Sequence, residues 1–130
     1  MKNDLNTKGF TLMEVLIAIS LLAVGMLAVA SLAAGIIKGT YHSVRLTAAT
    51  TLVQEKIEEM LRLGYSGTPT ADTLTVEDYS TITGFPDFRR VTLTDVDNPS
   101  ANMKLIEVTV YWDSDNKSVK VRTFLAESAP

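Results

Sequence analysis

A chain of 130 residues with a formal net charge of −3 and no cysteine has room for one domain at most, and it can build neither a disulfide framework nor a thiolate metal site. The slight acidic excess grows to −4 once residues 1–9, with two Lys and one Asp, are set aside, so no basic surface is left for a nucleic acid.

Residues 1–9 are short and polar, carry Lys2 and Lys8, and end in Gly9, which reads as the positive flank of an export signal. An apolar run follows. Between Glu14 and Lys38 lie 23 residues without a charge. As a helix they span roughly 35 Å, enough to cross a hydrocarbon core of about 30 Å. Glu14 is the anomaly. At membrane depth a carboxylate costs about 2.5–3.5 kcal/mol, so it needs either a partner or a place in the headgroup zone. Ser20, Gly25, Ser31, Ala34 and Gly35 let other helices approach closely.

Residues 38–63 extend the helix in amphipathic form. Val44, Ala48, Leu52, Ile57, Met60 and Leu61 form an apolar stripe, and Arg45, Glu55, Lys56, Glu58, Glu59 and Arg62 fill the other faces. Gly64 is a natural C-cap and residues 65–69 have turn chemistry, so the helix is expected to stop near Leu63, about 80 Å from Phe10. Residues 64–87, rich in Gly, Ser, Thr, Pro and Asp, read as a connecting loop with at most a turn of helix at 76–79.

Residues 88–130 read as sheet. Arg89, Val91 and Leu93 alternate with Arg90, Thr92 and Thr94 before a break at residues 95–99. Ile106, Val108, Val110 and Trp112 then share one face of a strand, residues 113–117 turn, and Val119, Val121, Thr123 and Leu125 return. Glu107 can pair across this antiparallel hairpin with Arg122 or Lys120. The fold class is α+β: a long N-terminal helix, half apolar and half amphipathic, packed on a small antiparallel β-sheet.

Lys8-Gly9-Phe10-Thr11-Leu12-Met13-Glu14-Val15-Leu16-Ile17-Ala18 closely resembles the class III signal of type IV pilins and of type II secretion pseudopilins. The match is tight over residues 8–30 and only architectural beyond. It implies a pilin fold and a leader at residues 1–9, cut by prepilin peptidase between Gly9 and Phe10. It also implies N-methylation of Phe10 and an assembly role for Glu14. The implied partners are other pilin subunits, met through helix residues 10–37, and an inner-membrane assembly platform. The implied location is the inner membrane, spanned once with the head outside the cytoplasm, and then an extracellular or periplasmic filament. Physical chemistry agrees: a cut after Gly9 keeps the whole apolar run, and the ammonium freed at Phe10 needs an anion, which Glu14 of a neighbouring subunit can supply. Many pilins close a C-terminal loop with a disulfide or carry a proline near Ser31, and this chain has neither. These departures, with a hairpin ending similar to that of minor pilins, point to a minor subunit.

Chemistry is sparse elsewhere. His42 is the only histidine, and Glu58 and Glu59 read as a solvated helix face. Asp113 and Asp115 place oxygens at the alternate spacing of a calcium loop, but the later glycine and glutamate of an EF-hand are missing. They are weak metal candidates. No phosphate-cradling loop or catalytic triad stands in the sequence, so the expectation is a non-enzyme without a cofactor. The alternatives are a minor pseudopilin of type II secretion, or a secreted or membrane-anchored binding domain that does not polymerise. An ordinary signal-peptidase site after Ala28-Val29-Ala30 would yield the secreted form.

Overall fold

The structure is a computed structural model that describes residues 9–127. The expected leader therefore lies outside the described residues except for Gly9. One helix, α1 (Leu12–Gly67), is followed by four strands: β1 (Thr73–Glu77), β2 (Phe88–Val96), β3 (Met103–Trp112) and β4 (Lys117–Ala126). The chain divides into two compact units, one running to Tyr41 and the other starting at His42.

The first unit is apolar helix without a core. Among the described residues, sixteen large apolar side chains between Phe10 and Ile37 are exposed, on every side of the helix. Burying each stabilises by about 1.5–3 kcal/mol, so together they exceed the roughly 5–15 kcal/mol stability of a whole domain. This surface requires lipid or other helices.

The second unit packs residues 42–67 of α1 on an antiparallel sheet of order β1-β2-β3-β4. Its core joins Ala49, Leu52, Val53 and Met60 of the helix to Phe88, Ile106, Val108, Val110, Trp112 and Leu125 of the sheet. Leu52, Ile57 and Met60 face inward as the apolar spacing requires. Val44 and Leu61 do not; both are exposed, and Ala49 and Val53 take their place. At 100° per residue Val44 lies opposite Val53, which carries it to the outer face.

Helical dihedrals fail at Gly64, with φ 68° and ψ −176°. That left-handed φ suits glycine, so the expected C-cap is where the backbone turns. Thr68 then closes the end, its N–H donating to Gly64 O at 3.2 Å and its hydroxyl to Tyr65 O at 3.0 Å.

The connector expected at residues 64–87 is only partly a loop. Residues 73–77 form β1, pairing antiparallel with β2 from Thr73↔Thr94 to Glu77↔Arg90. No helical turn forms at 76–79, because Val76 and Glu77 belong to the strand and the bend begins after them. In β2 the polar alternates face the helix: Arg90, Thr92 and Thr94 are buried, and Val91 and Leu93 are only half-buried on the outer face. The β3–β4 hairpin has Ile106, Val108, Val110 and Trp112 inward and pairs Trp112 with Lys117 across its turn. Asp113, Ser114 and Asp115 all take left-handed φ there (59°, 53° and 66°), a region that Asp tolerates better than most residues.

Candidate processing and assembly site

Gly9, Phe10 and Thr11 precede the first helical residue, Leu12, and all three are exposed. The peptide bond between Gly9 and Phe10 is thus outside the helical hydrogen-bond ladder, in backbone that a protease can grip. No atom lies within 4 Å of where a Gly9 side chain would begin. Phe10 is 85% exposed.

Thr11 and Glu14 cap the helix reciprocally. The Glu14 N–H donates to Thr11 Oγ1 at 3.2 Å, and the Thr11 N–H donates to Glu14 Oε2 at 3.4 Å. This is a capping box, Thr at N-cap and Glu at N3, and it satisfies two of the donors that every helix start leaves over. The carboxylate also sits at the positive end of the helix dipole. The spacing Thr11-x-x-Glu14 was in the sequence, so this partner of Glu14 was there to be read.

From Leu12 onward α1 is long and apolar enough to cross a membrane, and the apolar window is unburied. Ser20 and Ser31 return their hydroxyls to helix carbonyls, at Leu16 O and Ala28 O, both at 2.8 Å, so neither adds an unpaired polar group to that surface.

The description "prokaryotic N-terminal methylation motif" matches residues 5–30. The chain carries a class III signal. No curated protein and no solved structure matches it. The motif is one carried by precursors of type IV pilin-like proteins and pseudopilins, and it suggests a structural subunit. A class III signal implies processing by prepilin peptidase and assembly with other pilins, and the apolar helix fits membrane anchoring before assembly.

Polar clusters tie the pilin-like head together, and the one at Glu107 follows from the sequence pattern. Glu107 accepts from both expected partners, Lys120 Nζ at 2.6 Å and Arg122 Nε at 2.5 Å, and the Lys120 and Arg122 bonds lower its pKa. Arg90, by contrast, lies in a strand whose sequence pattern names no partner for it. It is buried, donates to both Glu77 oxygens at 2.6 and 2.7 Å, and its third nitrogen reaches Leu52 O of the helix at 3.1 Å. Those bonds hold the Glu77 carboxyl below the usual range. Lys104 is 1% exposed, and no local signal in the sequence marks it as buried. Its ammonium donates to Tyr65 O at 2.6 Å, Thr68 O at 3.2 Å and Thr68 Oγ1 at 3.3 Å, and lies 4.2 Å from the centre of the Tyr65 ring. A cation thus serves the carbonyl end of α1, where the dipole favours it.

Of the two weak metal candidates, Asp115 has its carboxylate engaged by other groups. Asp115 accepts from Tyr79 Oη at 2.8 Å and from Arg89 at 2.7 and 3.2 Å. The Tyr79 and Arg89 bonds lower its pKa, and a guanidinium already supplies the cation. The backbone carbonyl of Asp113 accepts from Asn116 within the turn. Among the described residues no three His, Asp or Glu side chains gather where a metal ion could be held.

Proposed function

We propose that this chain is a minor structural subunit of a type IV pilus or a related filament. Prepilin peptidase cuts between Gly9 and Phe10, the new Phe10 amine is methylated, and residues 10–37 hold the mature chain in the inner membrane with the head outside the cytoplasm. An assembly platform then moves the chain into a filament, where the helix surface that faced lipid is buried against other helices. Lipid and filament interior are similarly apolar, so this exchange is nearly balanced and packing detail decides it. Glu14 sets the register by pairing with the Phe10 ammonium of a neighbour, each charge offsetting the other's desolvation.

One observation carries this reading: a methylation motif at residues 5–30 takes in the start of an apolar helix with none of its window buried. The uninterrupted helix before Gly64 and the absence of cysteine support the minor assignment. The test is the mass of the mature chain together with its recovery in sheared filaments. A product starting at Phe10, found in filaments, is expected. Gly9→Val should leave the uncut precursor in the membrane. A soluble product starting at Ser31 would overturn the proposal in favour of a secreted domain.

A further inference from the structure

The sheet has two free edges, β1 and β4. Natural edge strands are commonly blunted by proline, lysine or a bulge, and β4 is guarded in this way by the exposed Lys117 and Lys120. β1 has no such guard. Thr73–Glu77 contains no proline or lysine, pairs with β2 in unbroken register, and turns its one charge, Glu77, onto Arg90. The strand is also bare. None of its residues enters the core, and Leu74, Thr75 and Val76 are all exposed, so both its faces are open as well as its outer edge. Leu74 and Val76, on the face away from the helix, are 62% and 48% exposed. A free row of backbone N–H and C=O groups with apolar side chains beside it is what an added strand uses.

Charge decides which strand. The cations near β1 are each taken: Arg90 by Glu77 at 2.6 Å, Lys56 by Glu59 at 2.9 Å and Arg89 by Asp115 at 2.7 Å. Asp72 and Asp78 at the two ends of β1, Asp95 of β2 and Glu55 of the helix have no ion pair among the described residues, so four negative charges are left over. The Glu77 bond, and further the charges of Glu55 and Glu59, raise the Arg90 pKa, so the helix acids stand on the inner side of the strand with Glu77. A second copy of this chain is a poor occupant. Two β1 edges repel, and around β4 the charges of Lys117, Lys120 and Arg122 are cancelled by those of Glu107, Asp115 and Glu127. A basic strand from another protein fits instead, and a minor subunit has other kinds of subunit for neighbours.

We propose that β1 is the docking edge for an extended segment of a different subunit of the same filament, added as a fifth strand. Alternate side chains of that segment are apolar beside Leu74 and Val76, and Lys or Arg on the helix side. That the partner is a filament subunit rests on the proposed function; the chemistry of the edge does not.

The test uses the full chain in mild detergent and two fluorescein-labelled peptides, Thr-Lys-Val-Lys-Val-Lys-Thr and its isomer Thr-Val-Val-Lys-Lys-Lys-Thr, equal in composition and charge. By anisotropy the alternating peptide should bind about tenfold tighter than the isomer, because only its pattern sets apolar and basic side chains on separate faces of an added strand. Glu55→Lys or Asp78→Lys should each weaken it roughly fivefold, as a like charge replaces an opposite one. Leu74→Lys with Val76→Lys blunts the edge and should abolish the difference between the peptides. All four side chains are exposed, so the urea midpoint read from Trp112 should stay where it is. In filaments, Thr75→p-benzoylphenylalanine should cross-link on illumination to a different subunit, within a segment that alternates apolar with Lys or Arg. Equal binding of the two peptides overturns the edge site. So does binding that the charge and edge variants leave unchanged. A cross-link to a second copy of this chain, to a helix or to an acidic segment overturns the partner, as does no cross-link with the chain present in filaments. Absence of the chain from filaments overturns the filament reading and the partner's identity as a subunit, whereas tighter binding of the alternating peptide upholds the edge site by itself.

Discussion

Removing Glu77 isolates one buried charge. The Arg90 side chain is 7% exposed and the Glu77 side chain 30%, and two bonds of 2.6 and 2.7 Å join them. Glu77→Ala leaves the guanidinium with only Leu52 O, and breaking a buried pair from one side costs about 3–5 kcal/mol. Water reaches the open side of Glu77 and returns part of this, so the expected loss is about 2–4 kcal/mol. Trp112, the single tryptophan, is 3% exposed in the core, so its fluorescence reports head unfolding in the full chain in mild detergent. With a urea slope near 1 kcal/mol/M for so small a head, the midpoint should drop by about 2–4 M. Adding Arg90→Met should recover most of the loss, since no uncompensated charge then remains. The Arg90 bonds lower the Glu77 pKa, so the pair's contribution is complete above the ordinary glutamate value of about 4.3 and fades as pH falls through the lower folded value. Wild type should lose stability in that acid window, and Glu77→Ala should lose less there. A Glu77→Ala midpoint equal to wild type, or a double variant no better than the single, would refute the reasoning.

Lys104→Met keeps the volume but takes the donor from the Tyr65 and Thr68 carbonyls, so it should cost about 1–3 kcal/mol in the same titration; equal or greater stability would mean that desolvating the ammonium outweighs its bonds. Thr11→Ala removes the cap at about 1 kcal/mol but leaves the carboxylate, whereas Glu14→Gln removes the charge. Immunoblots of filaments should show the first variant entering near normally and the second poorly, and the reverse order would assign Glu14 to capping alone. Asp115→Ala should raise hydrogen exchange in residues 78–87 and 113–116 without moving the urea midpoint; unchanged exchange would mean that Tyr79 and Arg89 do not hold the turn.

The parts of this protein legible in its sequence are those whose signals are local. Ile106, Val108, Val110 and Trp112 alternate with period two and are buried on one face, and Glu107 stands directly opposite Arg122 with Lys120 two residues along the same strand, the two cations the pattern offers it. Gly64 breaks the helix three residues before its end because glycine takes the combination φ 68° and ψ −176° without a side-chain clash. β1 escaped because Leu74 and Val76 point away from the core, so five residues alternate without a buried side to mark them. β2 misleads more directly. Hydrophobicity assigns Val91 and Leu93 to the core, but Arg90 takes the inner face because the fold brings it Glu77 from thirteen residues upstream and Leu52 O from thirty-eight. Lys104 is the same case at longer range, since its acceptors lie thirty-six and thirty-nine residues away. A buried cation cannot be read from sequence until the chain has delivered its partners.

Glu14 belongs to both kinds of signal, and its two partners differ in strength. Within one chain its carboxylate caps its own helix through a single exposed bond of 3.4 Å, near the long limit for such a bond. That cap offsets part of the cost of holding a carboxylate at the head of a membrane helix. It is also worth only about 1 kcal/mol, so it is readily given up. On the proposed reading, the precursor has no free ammonium near residue 10 and the cap is the best arrangement open to Glu14. On that reading, once the Gly9–Phe10 bond is cut every chain gains a cation in apolar surroundings, and a neighbour's ammonium offers the Glu14 carboxylate a full opposite charge where its own helix start offers one exposed N–H at 3.4 Å. On the proposed reading the exchange is favourable only after processing, which would make the peptidase step the one that renders a chain competent to assemble.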